Sequence, residues 1–425
     1  MRTGHGAPDS PLPSDRPEGQ LTAITHPQRK LVPLNGGTVV IMAERLKVMT
    51  VVGTRPELIR LSRTIARLDK FTDHVLVHTG QNYDYELNEV FFGDLGIRSP
   101  DLHLNVETGS LGAVLGGVLI GTERALLDQR PDAMVLLGDT NSSIATVMAR
   151  RHQVPVYHLE AGNRSFDDNV PEELNRRMVD HVADFNLAYT EHARRNLLAE
   201  GLHPSRVVVT GSPMREVLDH QASAIETSRV LDTLGLHRNG YFLVSLHREE
   251  NLDEPERLRS LLDAIEQLSA EHSIPVLMST HPRTRQRLDE TREPGFPGLR
   301  LHKPFGFSDY VQLQLSARCV LSDSGTISEE SSILNFPAVT LRTRIERPEA
   351  LDVGAIITTG VSSGPILDGV RMVLDRPSYA SAPNVPAEYL VRDFSRRVVS
   401  YIRSTASSFH EVRGIRKRSR VWTGP

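Results

Sequence analysis

The sequence predicts an α/β protein with two doubly wound parallel sheets and a ligand cleft between them. The chain has 425 residues, more than one hydrophobic core usually supports, so two domains are expected. Short apolar segments alternate with amphipathic helical segments, which is the pattern of parallel βα units. This alternation runs twice, and a helical stretch over residues 214–236 separates the two series.

The strands are expected where four to seven apolar residues stand between turn residues. In the first series they are residues 46–52, 75–78, 134–137, 154–158, 186–189 and 207–210. In the second series they are residues 241–246, 275–279, 299–302, 319–322, 338–341 and 355–358. Pro56 suits the first position of a helix after the first strand. A last helix near residues 394–403 is expected to pack at the interface or to cross back to the first domain.

The domain division follows from these series. We expect a disordered N-terminal extension rich in Pro, Gly, Ser and Thr, two Rossmann-like domains, a C-terminal helix at the interface or crossing back, and a basic tail. The corresponding residues are 1–43, 44–213, 214–392, 393–408 and 409–425.

Composition excludes several classes of protein. The net charge of −4 is small for the length, so a nucleic-acid partner is not expected. No apolar stretch reaches the roughly 18 residues of a membrane span, and the N-terminus lacks the apolar core of a signal peptide. We therefore expect no membrane association and a cytoplasmic location. The single cysteine, Cys319, excludes an intramolecular disulfide and is expected to be buried.

Polar residues cluster directly after the predicted strands, where parallel sheets bind ligands. Gly53-Thr54-Arg55-Pro56-Glu57 joins a strand to a helix N-terminus and makes an anion site to which Arg55 and Arg60 can add charge. A tight turn with surface arginines explains this motif equally well.

Three carboxylates are candidates for proton transfer. Asp139 and Glu160 each follow a strand, and Glu172 begins a helix that also carries Arg176. Taken singly, Asp139 could cap a helix, and Glu172 could form a surface pair with Arg176. The sum of the three favours one acidic site.

The second half offers phosphate and ribose contacts. His247 ends a strand, although a lone histidine is usually structural. Ser324 and Gly325 precede a helix start suited to a diphosphate, and Glu330 in that helix is placed for a ribose. Arg347 lies in a loop after another strand. There is no P-loop, no dinucleotide fingerprint and no convincing spacing of metal ligands.

Together these motifs resemble the non-hydrolysing UDP-N-acetylglucosamine 2-epimerases. The motifs are Gly53-Thr54-Arg55-Pro56-Glu57, Thr79-Gly80-Gln81, Gly138-Asp139-Thr140, Glu160-Ala161-Gly162, Pro171-Glu172-Glu173-Leu174-Asn175-Arg176, His247-Arg248-Glu249, Asp323-Ser324-Gly325 and Glu346-Arg347-Pro348-Glu349. They occur in the family's order from about residue 47 to about residue 403.

The resemblance implies a glycosyltransferase-B-like fold and a UDP-sugar substrate, with neither cofactor nor metal. It implies anti elimination of UDP to a 2-acetamidoglucal, followed by re-addition. Carried over by motif, the acid and base candidates are Asp139, Glu160 and Glu172, with His247 at the same site. Contacts to UDP and sugar would come from Arg55, Arg60, His247, Arg176, Ser324, Gly325, Glu330 and Arg347. Family precedent implies a homodimer.

Three departures affect the finer interpretation. Asn82 replaces the family's common histidine, which puts regulation by a second UDP-GlcNAc molecule in doubt. Arg60 stands for the usual lysine, and Thr326 for a second glycine. The forms around Gln81 and Glu160 look closer to a branch acting on modified sugars for surface polysaccharides, such as UDP-N-acetyl-L-fucosamine synthases or UDP-2,3-diacetamido-glucuronate 2-epimerases.

Three other functions stay open at this point. A hydrolysing 2-epimerase would release free sugar, and a glycosyltransferase-B type transferase would need an acceptor cleft. A non-catalytic sugar-nucleotide sensor would have no use for three carboxylates.

Overall fold

The computed structural model describes residues 30–33, 39–42, 45–80, 92–167, 169–246, 248–280, 282–290, 296–375 and 384–415. The chain divides into two units, Met1–Arg45 and Leu46–Pro425. In the smaller unit, β1 (Lys30–Pro33) and β2 (Val39–Met42) pair as antiparallel strands. The rest of the expected extension over residues 1–43, and residues 416–425 of the expected basic tail, lie outside the described residues.

The first large sheet of the described chain contains seven parallel strands in the order β5-β4-β3-β6-β7-β8-β9. They are β3 (Lys47–Val52), β4 (Asp73–His78), β5 (Leu102–His103), β6 (Ala133–Leu137), β7 (Val156–Leu159), β8 (Phe185–Ala188) and β9 (Val207–Val209). The order reverses between β3 and β6, which is where such sheets open a ligand crevice.

The second large sheet has six parallel strands in the order β12-β11-β10-β13-β14-β15. They are β10 (Phe242–Leu246), β11 (Val276–Thr280), β12 (Leu299–His302), β13 (Cys319–Ser322), β14 (Ala338–Thr340) and β15 (Ile357–Thr358). Here the order reverses between β10 and β13. Cys319 is buried in β13, as expected.

Helices join the strands of both sheets. They are α1 (Arg55–Phe71), α2 (Leu111–Gln129), α3 (Ala145–Arg151), α4 (Pro171–Val182), α5 (Glu191–Ala199), α6 (Met214–Glu226), α7 (Val230–Leu234), α8 (Glu249–Leu252), α9 (Pro255–His272), α10 (Pro282–Glu290), α11 (Phe307–Ser316), α12 (Ile327–Leu334), α13 (Glu349–Asp352), α14 (Ser363–Leu374), α15 (Phe394–Thr405) and α16 (Phe409–Val412). Short 3₁₀ turns cover Asn141–Ile144, Pro204–Arg206 and Ala387–Leu390.

Side chains alternate between the two faces of each sheet and are buried on both. In β3, Val48 and Val52 belong to a core that also includes Leu61 of α1, while Met49 and Val51 join a separate core with α2 and α3. Near-continuous apolar strands of this kind need helices on both faces. The predicted fold class of two doubly wound parallel sheets is confirmed.

One hydrophobic core runs between the two sheets. It contains Val48 of the first sheet, Leu243 of the second, and Val217 of α6 between them. The last helices reach the first sheet, because Tyr401 of α15 stacks edge-on against Phe185 of β8. The domain limits given above stay predictions, since packing across a shared core does not mark a boundary residue.

The helical stretch predicted over residues 214–236 was wrong in one respect, because it is two helices rather than one. The break falls between α6 and α7, where the Ser228 hydroxyl donates to Asp309 at 2.6 Å and accepts from the amide of Val230 at 3.3 Å. A serine side chain that competes for backbone groups favours a helix end over a helix interior.

In the described chain no helix is both long and apolar enough to cross a membrane.

Candidate active site

The turn after β3 is held by a buried carboxylate. Glu57 accepts from the amides of Gly53 and Thr54 at 2.8 and 2.7 Å and from the hydroxyl of Thr140 at 2.9 Å. Thr54 and Glu57 form a capping box at the start of α1. A Cβ on Gly53 would lie 1.9 Å from the Ser142 hydroxyl, so only glycine fits there. Burial raises the pKa of Glu57, although its hydrogen bonds partly offset this. The loops after β3 and β6 are thereby tied together.

Two carboxylates stand at the ends of neighbouring strands. Leu137 of β6 pairs with Leu159 of β7 in the parallel register. Asp139 follows the first of these strands by two residues, and Glu160 follows the second directly. Both side chains therefore lie at the same edge of the sheet, beside the switch point.

Glu160 lies in a buried group of four side chains that we call the buried charge cluster: Arg60, Glu160, Glu329 and Arg347. Arg60 binds both glutamates, reaching Glu329 at 3.0 Å. Arg347 reaches Glu160 at 2.9 Å and Glu329 at 3.3 Å. Two positive and two negative charges alternate around a ring, which offsets the cost of burying each of them.

The cluster joins the two sheets. Arg60 on α1 and Glu160 after β7 lie in segments that connect strands of the first sheet. Glu329 on α12 and Arg347 after β14 lie in segments that connect strands of the second sheet. Burial opposes the charge of Arg60, but Glu160 and Glu329 raise its pKa. The same glutamates raise the pKa of Arg347 against the effect of burial. Both arginines therefore stay charged at neutral pH.

The backbone of Glu160 is strained. Its φ of 62° lies in the left-handed region, which costs a residue with a side chain roughly 1–2 kcal/mol. Strain of this kind persists only where the surroundings hold it in place, and it concentrates at functional sites.

Asp139 is bound by Arg176, which also lies 3.6 Å from Glu346. Arg176 is buried on α4, and burial lowers its pKa against the pull of Glu346. Its Nε and Nη1 atoms are buried and have no hydrogen-bond acceptor within the described residues. Buried guanidinium donors usually find partners. Arg176 can therefore donate to an anionic ligand next to Asp139.

Glu346 gathers arginines from the second sheet. It accepts from Arg248 at 3.1 Å and from Arg342 at 2.9 Å. Burial would raise the pKa of Glu346, but Arg176, Arg248 and the neighbouring arginines hold it below its ordinary value. The loops after β10 and β14 are thus joined to α4 of the first sheet.

The turn after β13 shapes the start of α12. Ser324 lies 3.0 Å from the Thr326 hydroxyl, and the carbonyl of Gly325 accepts from Arg347 at 2.6 Å. A Cβ on Gly325 would lie 2.8 Å from that guanidinium, so glycine permits the contact. Glu330, one turn into the helix, accepts from Gln314 at 2.6 Å, and burial raises its pKa.

Arg55 at the start of α1 interacts electrostatically with Tyr310 of α11. Burial lowers the pKa of Arg55, and the nearby Tyr310 phenol partly offsets this. Burial likewise raises the pKa of Tyr310. No group of three His, Cys, Asp or Glu in the described chain is arranged to hold a metal ion. Arginines supply the positive charge of this site.

A sequence model of the family described as UDP-N-acetylglucosamine 2-epimerase matches residues 66–403. The chain belongs to this family. It is 42% identical to a UDP-N-acetylglucosamine 2-epimerase from Rickettsia bellii, covering 88% of this chain and 100% of that one with a TM-score of 0.81. The Methanocaldococcus jannaschii UDP-GlcNAc 2-epimerase, solved in complex with UDP-GlcNAc and UDP, is 33% identical over 84% of this chain and 100% of that one, with a TM-score of 0.79.

A third relative, named for a modified UDP-sugar, has nearly the same identity to this chain as the Methanocaldococcus jannaschii enzyme. The UDP-2,3-diacetamido-2,3-dideoxy-D-glucuronate 2-epimerase of Pseudomonas aeruginosa is 32% identical over 342 residues, which is 78% of this chain and 93% of that protein. The family predicted from the motifs is confirmed, and so is the glycosyltransferase-B-like fold.

In this epimerase-family fold, most of the predicted site residues come together. Arg60, Glu160 and Arg347 share the buried charge cluster, and Asp139 binds Arg176. Glu172 is exposed at the first turn of α4, where no described contact joins it to the cluster. His247 lies outside the described residues.

Sequence reasoning assigned no role to Glu57, Glu329 or Glu346. Glu329 binds Arg60 and Arg347, Glu346 pairs with three arginines, and Glu57 holds the turn before α1. A signal existed for Glu57, because Thr54-x-x-Glu57 is the pattern of a capping box. Glu346 stands in the Glu-Arg-Pro-Glu motif, but nothing local shows that it faces Arg176 and Arg248.

Proposed function

We propose that this protein catalyses non-hydrolysing epimerisation at C2 of a UDP-N-acetylhexosamine. The observation that carries the proposal is the pair of carboxylates, Asp139 and Glu160, at adjacent strand ends, each bound to an arginine. An epimerase must take a proton from one face of the sugar and return it to the other, so it needs more than one acid or base. A site that only binds UDP would need the arginines alone.

The proposed reaction begins with elimination. The C2–H bond and the bond from C1 to the UDP oxygen break, a C1=C2 double bond forms, and UDP leaves with the bonding electrons. A carboxylate accepts the proton from C2. UDP then adds back to C1 while a second acid protonates C2 from the opposite face, so atoms balance without an added reactant. Asp139, Glu160 and Glu172 are the candidates for these two roles.

The arginines are proposed to stabilise the departing diphosphate. Negative charge grows on the UDP oxygen as the C1–O bond breaks, and pre-placed donors stabilise it most strongly where water is excluded. Arg176 and Arg347 are assigned to diphosphate and sugar. Arg55, Arg60, His247, Ser324, Gly325 and Glu330 are assigned to UDP.

Proton NMR in D₂O tests the proposal. The enzyme is incubated separately with UDP-GlcNAc, a UDP-2-acetamido-2,6-dideoxy-L-hexose and a UDP-2,3-diacetamido-hexuronic acid. Deuterium at C2 together with the 2-epimeric UDP-sugar is the expected result with one of them. Free N-acetylmannosamine without a UDP-linked epimer indicates a hydrolysing enzyme. UDP binding without exchange for any of the three refutes the proposal in favour of a transferase or a sensor.

Three matters of setting belong to the same proposal. We propose a cytoplasmic homodimer that supplies precursors for a surface polysaccharide or a related glycan, in keeping with the family. Sedimentation velocity of the full chain tests the oligomeric state, and a monomer at micromolar concentration contradicts it.

A further inference from the structure

A fully buried histidine and aspartate lie directly behind the two strand-end carboxylates. His158 is in β7 and Asp180 is in α4, and neither side chain is exposed. Nδ1 of His158 lies 2.8 Å from Asp180, and its Nε2 lies 2.7 Å from the carbonyl oxygen of Gly138. Both partners are oxygen acceptors, so the ring is held between α4 on one side and the turn after β6 on the other.

The second carboxylate oxygen of Asp180 binds the turn after β7. It accepts from the amide of Gly162 at 3.1 Å and lies 2.8 Å from Nη1 of Arg164. Arg164 is paired in turn with Glu200 at 2.7 Å. Each of these side chains has its polar partners within the protein, so this network is satisfied without a ligand.

The network touches the backbone on both sides of the proposed proton-transfer groups. Gly138 directly precedes Asp139, while Glu160 lies between His158 and Gly162. Gly138, Glu160 and Gly162 have φ values of 74°, 62° and 83°. A glutamate with a left-handed backbone keeps this conformation only where neighbouring groups hold it. Asp180 binds His158 before Glu160 and the amide of Gly162 after it.

The same helix also holds the other carboxylate. Asp180 lies four residues after Arg176 on α4, and Arg176 binds Asp139. Helix α4 therefore contacts the ends of β6 and β7 through Asp180 and His158, and it binds the side chain of Asp139 through Arg176. A shift of about 1 Å in a reacting group can cost roughly 100-fold in rate.

We propose that His158 and Asp180 are positioning residues, which set the backbone of Asp139 and Glu160 and so aim the two carboxylates at C2. The inference rests on the proposed epimerisation. Both side chains are fully buried and bind only protein groups, so their loss is expected to act on the chemical step and to spare UDP affinity.

The test compares Asp180→Asn with a matched control, Asp69→Asn. Asp69 pairs with the buried His74 at 2.6 Å, and His74 lies 2.8 Å from the Thr50 hydroxyl. This second His–Asp pair is at the amino end of β4, away from the site. Asp180→Asn should lower kcat for C2 exchange about 100-fold, with KM and the Kd for UDP changed less than about two-fold. Asp69→Asn should lose thermal stability but keep kcat.

Two further measurements keep the proposal open to refutation. If Asp180→Asn does not fold, His158→Gln replaces it, because a glutamine amide does not have the imidazole geometry that joins Gly138 to Asp180. Hydrogen exchange at the Gly162 amide and a crystal structure of the variant report on the turn without any activity. Faster exchange and a displaced Glu160 are expected.

The outcomes separate the two proposals. If the wild-type enzyme shows no C2 exchange, the proposed function is refuted. The inference is then decided by the structural readouts alone, which are hydrogen exchange at Gly162 and the position of Glu160 in the variant. Unchanged kcat in a folded Asp180→Asn or His158→Gln variant overturns the inference. A fall in UDP affinity equal to the fall in kcat, or an equal loss in Asp69→Asn, overturns it as well.

Discussion

Replacing Glu329 with glutamine removes one negative charge from the buried charge cluster while keeping the size of the side chain. Oε2 of Glu329 accepts from Arg60 at 3.0 Å and lies 3.3 Å from Nε of Arg347. An amide NH₂ at that position would face two donors. Oε1, which accepts from Ser212, keeps its role. The variant therefore leaves two buried arginines with one carboxylate, Glu160.

The cost follows from the burial of the cluster. The side chain of Glu329 is 0% exposed, and those of Arg60 and Arg347 are 5% and 4% exposed. Removing one partner of a buried ion pair costs about 3–5 kcal/mol. The entropy of unfolding is about 2.1 cal/mol/K per residue, or about 0.9 kcal/mol/K for the chain. The expected fall in the thermal midpoint is thus roughly 3–6 °C.

Calorimetry with and without UDP provides the assay. Glu271→Gln is the matched control, because Glu271 pairs with Arg371 on the surface, and it should leave the midpoint unchanged. UDP should raise the midpoint more in Glu329→Gln than in the wild type, because the uncompensated positive charge favours a diphosphate. A folded variant with the wild-type midpoint would refute the reasoning about the cluster. An unchanged UDP response would refute the placement of the diphosphate beside it.

Three further predictions concern single side chains. Asp139→Asn should lower the rate of C2 exchange, measured by NMR, by about 10²–10⁴-fold. The Kd for UDP, measured by calorimetry, should change only a few-fold. An exchange rate near that of the wild type would show that Asp139 does not transfer the proton. Burial, with His103 nearby, lowers the pKa of His78 to about 4, so the folded state binds fewer protons than the unfolded state between that value and about 6.5. Stability should therefore fall as pH drops through that window, by roughly 2 kcal/mol at pH 5, and His78→Gln should remove this part of the decline in urea titrations at pH 7 and pH 5. A Cβ on Gly162 would lie 2.3 Å from the carbonyl oxygen of Ala193, whereas a Cβ on Gly201, at a similar φ, would meet open space. Gly162→Ala should therefore lower the thermal midpoint far more than Gly201→Ala. Equal losses in the two variants would contradict the steric argument.

Much of the fold follows from local sequence. Apolar runs such as the one in β6 are long enough to be read as strands, and the amphipathic segments between them require parallel connections. Because ligands bind at the carboxyl ends of parallel strands, the positions of Asp139 and Glu160 at one edge were predictable as well. The break between α6 and α7 was not, since it depends on a contact between Ser228 and the distant Asp309.

The site divides in the same way. The sequence by itself determined which residues stand at strand ends and which helix starts can bind an anion, because those properties depend on neighbours in the chain. Only the tertiary structure decided the partners. Arg60 meets Glu329 across 269 residues, and Glu160 meets Arg347 across 187. Charge pairing in a buried site depends on which side chains share a low-dielectric volume, and no periodicity along the chain encodes that.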